Sequence, residues 1–149
     1  MINIRKAKSE ELEQIIELLA NDKLGVAREK TESHLATYQK AFAKINEDPN
    51  QYLMVMEKEG KVIGCLQLSF IQYLTYNGGM RAQIEGVRIC AEERGKNLGK
   101  TLIKHAIFEA KERGAHLVQL TTDKQRPEAI AFYENLGFVS SHEGMKMHF

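Results

Sequence analysis

The chain has no tryptophan, two prolines and two cysteines in 149 residues. So few cysteines exclude a disulfide-stapled secreted scaffold. Cys65 and Cys90 both sit in strand-like apolar runs and read as small buried hydrophobes in a reducing compartment. Charge of one sign is also missing, since 21 Lys and Arg stand against 20 Asp and Glu. That balance removes the electrostatic argument for a nucleic-acid or membrane-surface partner. No apolar run is long enough to span a bilayer, and the opening MINIRKAKSEEL lacks an apolar signal segment. A cytoplasmic location is therefore the expectation. There is no repeat, linker or low-complexity segment.

What is present fits one packed domain over residues 1–149, with 43% apolar and 28% charged residues. INIRKA alternates and reads as a strand. Ser9 opens a helix with Glu10 and Glu11 in its first turn, and Leu12, Ile15, Ile16 and Leu19 on one face. A second helix is expected from about Arg28 to Asn46, closed by Pro49. QYLMVMEKEGKVIGCLQLSFIQYL is two strands around the turn KEGK, and TYNGGM carries an Asn-Gly turn signal. RAQIEGVRIC is the next strand, and strict alternation puts Glu85, Val87 and Ile89 on one face and Gly86, Arg88 and Cys90 on the other. A helix with Leu98, Leu102, Ile103, Ala106, Ile107 and Ala110 at helical spacing follows and ends at Gly114. AHLVQLTT reads as a strand, Pro127 opens a last helix that stops at Gly137, and the remainder reads as a final hairpin. The fold class is mixed α/β, a predominantly antiparallel sheet with flanking helices. The unit from Ala82 to Thr122 predicts one parallel strand pair with a crossover.

The stretch RGKNLGKT, Arg94 to Thr101, nearly spells the nucleotide-binding P-loop. One residue is missing between Gly95 and Gly99, and no clean acidic strand follows to hold magnesium. A helix starting near Asn97 still leaves amides without intrahelical partners at its positive end. From the residues alone the loop is either a phosphate cradle or a tight strand-to-helix turn with solvated charges.

IEGVRICAEERGKNLGKTLI resembles the signature strand, loop and helix of the GNAT family of N-acetyltransferases. The family's loop, Arg/Gln-x-x-Gly-x-Gly/Ala, is matched by Arg94 and Gly99, with Asn97 in place of the first glycine. TTDKQRPEAIAFYENLGF resembles the second signature through Ala129, Tyr133, Gly137 and Phe138, with Arg126 where many members carry Asn. The resemblance implies acetyl-CoA as co-substrate, a small-molecule amine as acceptor, and at family level a homodimer. It implies that Arg94, Gly95, Lys96, Asn97, Leu98, Gly99 and Lys100 hold the pyrophosphate, that Val87 and Ile89 pair with the pantetheine amides, and that Arg126 lies at the cofactor.

Chemically, an alkyl amine with a pKa of about 10 must lose a proton before it attacks. Glu85 is the candidate base, directly or through water, or else it forms only an ion pair. The thiolate leaving group needs a proton, and Tyr133 stands at the family's acid position; otherwise it is a core aromatic beside Phe132 and Phe138. His34, Tyr38 and His142 are candidates for the acceptor pocket or ordinary surface residues. The histidines show no metal-ligand spacing. A non-catalytic CoA-binding or regulatory module on the same fold is the alternative reading.

Overall fold

The structure, a computed structural model, describes residues 1–21, 26 and 34–149. Its elements are β1 (Ile2–Lys6), α1 (Leu12–Ala20), α2 (Leu35–Glu47), β2 (Gln51–Lys58), β3 (Lys61–Gln72), β4 (Met80–Ile89), α3 (Leu98–Glu112), β5 (Leu117–Leu120) and α4 (Pro127–Asn135). The expected second helix is present from Leu35; its portion before residue 34 lies outside the described residues. Contacts divide the chain into two compact units, Met1–Gln119 and Leu120–Phe149.

The sheet has the order β1-β2-β3-β4-β5, with antiparallel pairing from β1 to β4. The β4–β5 neighbours run in the same direction. The His116 amide donates to the Met80 carbonyl at 2.9 Å, and further along both strands the Gln119 side chain meets Gln83 at 2.8 Å. This is the expected parallel pair. A four-residue β5 that starts level with Met80 covers only the first part of the ten-residue β4.

Burial along β3 locates the core. Val62 to Leu66 are buried at every position, so both sheet faces are covered there. From Gln67 onward only alternate residues, Leu68 and Phe70, remain buried, so one face of the sheet opens. Leu102, Ile103, Ala106 and Ala110 of α3 are buried at helical spacing, as the sequence predicts. Both α1 and α3 pack on β3 and β4.

Helix opening at Ser9 with Glu10 and Glu11 in its first turn is as expected; two other details differ. The first concerns the start of α1. A single 3-10 turn, Ser9–Glu11, precedes the helix, and the Ser9 hydroxyl does not cap it. Glu11 does that work by accepting from the Lys8 amide at 2.8 Å, while Arg5 donates to both its carboxylate oxygens at 3.1 and 2.6 Å. Arg5 also binds Glu57 of β2 at 2.9 Å, so one guanidinium ties the first helical turn to two strands. The second concerns the C-terminal hairpin, which does not form. Residues 138–149 contain no strand, and Val139, Met145 and Met147 are exposed. The Ser141 amide folds back onto the Val139 carbonyl at 2.9 Å, which breaks the extended line before a ladder can start.

Burial disfavours the Glu11 carboxylate, but the Arg5 bonds outweigh it and hold the group below the usual carboxylate range. A carboxyl depressed in the folded state stabilises above its unfolded pKa of about 4.3 and loses that contribution as pH falls through the folded value. Glu11→Gln is expected to lower stability at pH 7 by about 1–2 kcal/mol. It is also expected to flatten the acid limb of a pH series of thermal midpoints. A variant with the wild-type slope contradicts this role.

Candidate acyl-CoA site

Strict alternation along β4 predicts that Glu85, Val87 and Ile89 share a face, and the register corrects this. Gln67 pairs with Glu85, whereas Cys65 pairs with Arg88, so β4 carries one extra residue opposite Leu66. Gly86 takes it up with a φ of 63°, a left-handed conformation that side chains other than glycine rarely adopt. A Cβ there would also meet Leu19 of α1 at 3.4 Å. Cys65 and Gln67 lie on one face of β3, so Arg88 joins the face of Glu85 and Ile89 passes to the other. The same shift removes the alternation argument that set Cys90 opposite Glu85. Cys90 lies beyond the strand end, where its amide donates to the Ile63 carbonyl at 2.8 Å. It lines a cavity of about 260 Å³ with Lys58, Glu59, Lys61, Ile63, Glu92 and Glu93, none of them a residue singled out in the sequence. Burial pushes the Cys65 thiol up to about 12, so it is an inert core thiol.

Glu85 is exposed at the border where the sheet face opens, and its Oε1 accepts from Gln83 Nε2 at 3.2 Å. Beyond it, Val87 and Ile89 stand on the stretch of β4 that β5 is too short to cover. A strand edge without a neighbouring strand presents its amides and carbonyls as an extended partner would need them.

The strand then leads into the loop. Arg94 does not point a free cation at it: its Nε donates to the Ile89 carbonyl at 3.1 Å and its Nη2 to the Asn21 carbonyl at 3.3 Å. It fastens the loop to the ends of β4 and α1. Gly95 has a φ of 78° and Asn97 a φ of 61°, so the position where the family loop carries glycine is left-handed here and Asn fills it. The Asn97 carbonyl accepts from the Thr101 amide at 3.1 Å and from its hydroxyl at 3.2 Å. Thr101 is thus spent on the helix start. Among the described residues, the amides of Gly95 to Lys100 have no backbone acceptor. They sit at the positive end of the 15-residue α3, an anion site by construction. Lys96 is held by Glu93 at 2.9 Å, and Lys100 is exposed. Glu93 also binds Lys58 at 2.9 Å, and these two ammonium groups keep its carboxyl below the usual range. No group of residues able to hold a metal is present among the described residues.

The second unit holds Arg126, Tyr133 and His142. Arg126 is the residue before α4, and its carbonyl accepts from the Ala129 amide at 3.0 Å. Gly137, with a φ of 97°, ends α4 in a Schellman motif: the Phe138 amide donates to the Tyr133 carbonyl at 3.1 Å and the Gly137 amide to that of Glu134 at 3.0 Å. That closure lays Phe138 edge-on to the Tyr133 ring at 5.8 Å, and Phe132 packs on it at 5.1 Å. So Tyr133, Gly137 and Phe138 form one physical unit. His142 is exposed and paired with the Ser141 hydroxyl at 2.7 Å. In the first unit, His34 precedes α2 and accepts the Tyr38 amide at 3.2 Å through its carbonyl, while the Tyr38 side chain is half-buried.

The polar side chains around Glu85 are absent from the sequence-based site. Gln67 stands opposite it and Gln83 bonds to it, and Gln119 and Arg81 follow Gln83 along one chain of side-chain bonds. Only the alternation Arg81, Gln83, Glu85 was readable as a polar strand face.

The left-handed Asn97 yields a test that needs no ligand. Asn97→Gly is expected to stay within about 1 kcal/mol of wild type. Asn97→Val forces a β-branched residue into that conformation at a cost of about 1–2 kcal/mol. Denaturant midpoints of the two variants read the difference directly, and equal midpoints contradict the loop geometry.

Comparison with known proteins follows the same line. A family model described as "Acetyltransferase (GNAT) family" matches residues 12–138. The aminoalkylphosphonate N-acetyltransferase of Salmonella typhimurium is 28% identical over 113 residues, covering 76% of this chain and 73% of that enzyme. The 5-NmdU N-acetyltransferase of Pseudomonas phage PaMx11 is 27% identical over 148 residues, covering 97% of this chain and 92% of the other. A solved structure described as a transcriptional regulator from Bacillus halodurans C-125 superposes with a TM-score of 0.96 at 51% identity, covering 100% of both chains. The strand break, the amide loop and the matched family signature agree: this chain belongs to the GNAT family of acetyltransferases, which use acetyl-CoA as co-substrate.

Proposed function

We propose that the chain is a single N-acetyltransferase domain that transfers the acetyl group of acetyl-CoA directly to the primary amine of a small molecule. The observation that carries this reading is the run of amides from Gly95 to Lys100, without backbone acceptors at the positive end of α3. These amides would hold the pyrophosphate, and the uncovered edge at Val87 and Ile89 would pair with the pantetheine arm. When bound, acetyl-CoA supplies an acetyl thioester.

Glu85, steadied by Gln83, would take the proton that frees the lone pair of the amine. The N–C bond would then form as the C–S bond breaks, the new amide nitrogen losing its surplus proton to water, which later restores the Tyr133 phenol, and the sulfur leaving as a thiolate. The Tyr133 hydroxyl would protonate it, since a phenol near pKa 10 and a thiol near 8.5 are matched closely enough for transfer. His34, Tyr38, His142 and Arg126 are proposed to bound the substrate and cofactor, and a homodimer is proposed from the family. Among the described residues no helix is long and apolar enough to cross a membrane, and the near-neutral composition supports a small-molecule partner in the cytoplasm.

A second reading is a non-catalytic CoA-binding or regulatory module. The description of the 51%-identical Bacillus halodurans structure as a transcriptional regulator favours it. It predicts acetyl-CoA binding without thiol release for any amine.

Thiol release from acetyl-CoA in the presence of an amine panel separates the two. Turnover is expected, and Tyr133→Phe is expected to lower kcat by about 100-fold or more. A Tyr133→Phe enzyme with the wild-type maximal rate and pH profile contradicts the acid role. In thermal shift, acetyl-CoA at 100 times its Kd stabilises by about 2.7 kcal/mol, whereas magnesium-ATP leaves the midpoint unmoved. Stabilisation by magnesium-ATP instead would restore the P-loop reading.

A further inference from the structure

Beyond Leu66, the sheet face that opens carries more hydrogen-bonding chemistry than a base alone needs. Gln67 and Ser69 of β3 are half-exposed there, with Glu85 and Gln83 opposite them on β4 and Gln51 opposite Ser69 on β2. Side-chain bonds run across this face in two chains. On one side Gln51 Oε1 accepts from Gln67 Nε2 at 2.8 Å and from the Ser69 hydroxyl at 2.7 Å. On the other, Arg81 Nη1 donates to Gln119 Oε1 at 3.1 Å, Gln119 Nε2 to Gln83 Oε1 at 2.8 Å, and Gln83 Nε2 to Glu85 Oε1 at 3.2 Å. All of these residues lie within the unit Met1–Gln119.

The charge on this face is sparse. Glu85 is its one carboxylate among the described residues of β2 to β5 named above. The Arg81 guanidinium lies over the rings of Tyr73 at 4.9 Å and Tyr76 at 5.3 Å. Four residues of strand, about 13 Å, separate it from Glu85 along β4. The other cation of the face, Arg88, donates to the Val87 carbonyl at 2.9 Å. A polyamine needs a second carboxylate for its second ammonium, and the described residues of these strands do not offer one on this face. Apart from Arg88, the polar side chains beside Glu85 are neutral. Each glutamine amide has two N–H donors and a carbonyl with two lone pairs, and the two chains use only part of that capacity. Paired donors and acceptors in neutral form match hydroxyl groups, which also donate and accept.

Resting on the acetyl-transfer reading above, we infer that the acceptor is a hydroxylated monoamine, an amino sugar or amino alcohol. Its amine stands at Glu85 and its hydroxyls bond to Gln67, Gln83 and Gln119. A site whose polar groups are left unpaired by the wrong substrate rejects it more sharply than an apolar pocket rejects a poor fit.

The test is kcat/KM by thiol release for matched pairs: glucosamine against cyclohexylamine, and serinol against isopropylamine, with spermidine as the polyamine. Each hydroxylated member is expected to exceed its partner, and spermidine, by about tenfold or more. Gln67→Leu and Gln119→Leu are each expected to shrink the ratio within a pair by about five- to tenfold. The substitutions leave the basicity of the amines unchanged, so the altered ratio reports the side chain. Equal or better use of spermidine or of the hydroxyl-free amines overturns the inference. So does a ratio that both variants leave intact. No thiol release with any amine overturns acetyl transfer itself, a result distinct from turnover without the preference.

Discussion

The extra residue in β4 is the constraint on which the rest depends. It is accommodated only because Gly86 can hold a φ of 63°, and it sits opposite Leu66, the last position where both sheet faces are buried. Before it, Glu85 faces the open side of the sheet. After it, the strand edge runs on past the reach of β5 and enters the loop. Without the break, regular alternation would carry Ile89 onto the polar face and turn Arg88 to the other. The proposed base, the uncovered edge and the proposed anion site are thus consecutive segments of one strand–loop–helix whose register a single glycine sets.

Helix ends repeat the same physics. Asn97 is left-handed at the start of α3, and Gly114 and Gly137 are left-handed where α3 and α4 stop. At each end the backbone turns sharply enough to leave specific groups exposed or satisfied. The start of α3 leaves amides without backbone acceptors among the described residues, which favours an anion. The end of α4 closes on itself, which satisfies carbonyls and fixes the aromatic pair Tyr133 and Phe138. Letters that define a family signature therefore have separate physical reasons, one for binding and one for holding a ring.

Much of this was legible in the sequence because it depends on local chemistry. Helical spacing gave α3, Gly114 and Gly137 gave the helix ends, and KEGK gave the β2–β3 turn. The tolerance of Asn for left-handed backbone allowed Asn97 to stand for glycine. The β4 register was not legible, because period-two reading assumes a regular pleat and one glycine suspends it. The Glu11 cap escaped because its partners, Arg5 and Glu57, are brought in by strand pairing. The glutamine face escaped for a related reason: Gln51, Gln67, Gln83 and Gln119 lie on four strands and meet only in the sheet. The expected C-terminal hairpin does not form, because an extended segment without a partner strand makes no ladder.

The most direct measurement is an amide-resolved NMR titration of the protein with acetyl-CoA. The account predicts saturable shifts concentrated at Gly95 to Lys100 and at Gly86 to Ile89, with none of comparable size from magnesium-ATP. Saturation by acetyl-CoA that leaves those amides unmoved would contradict it.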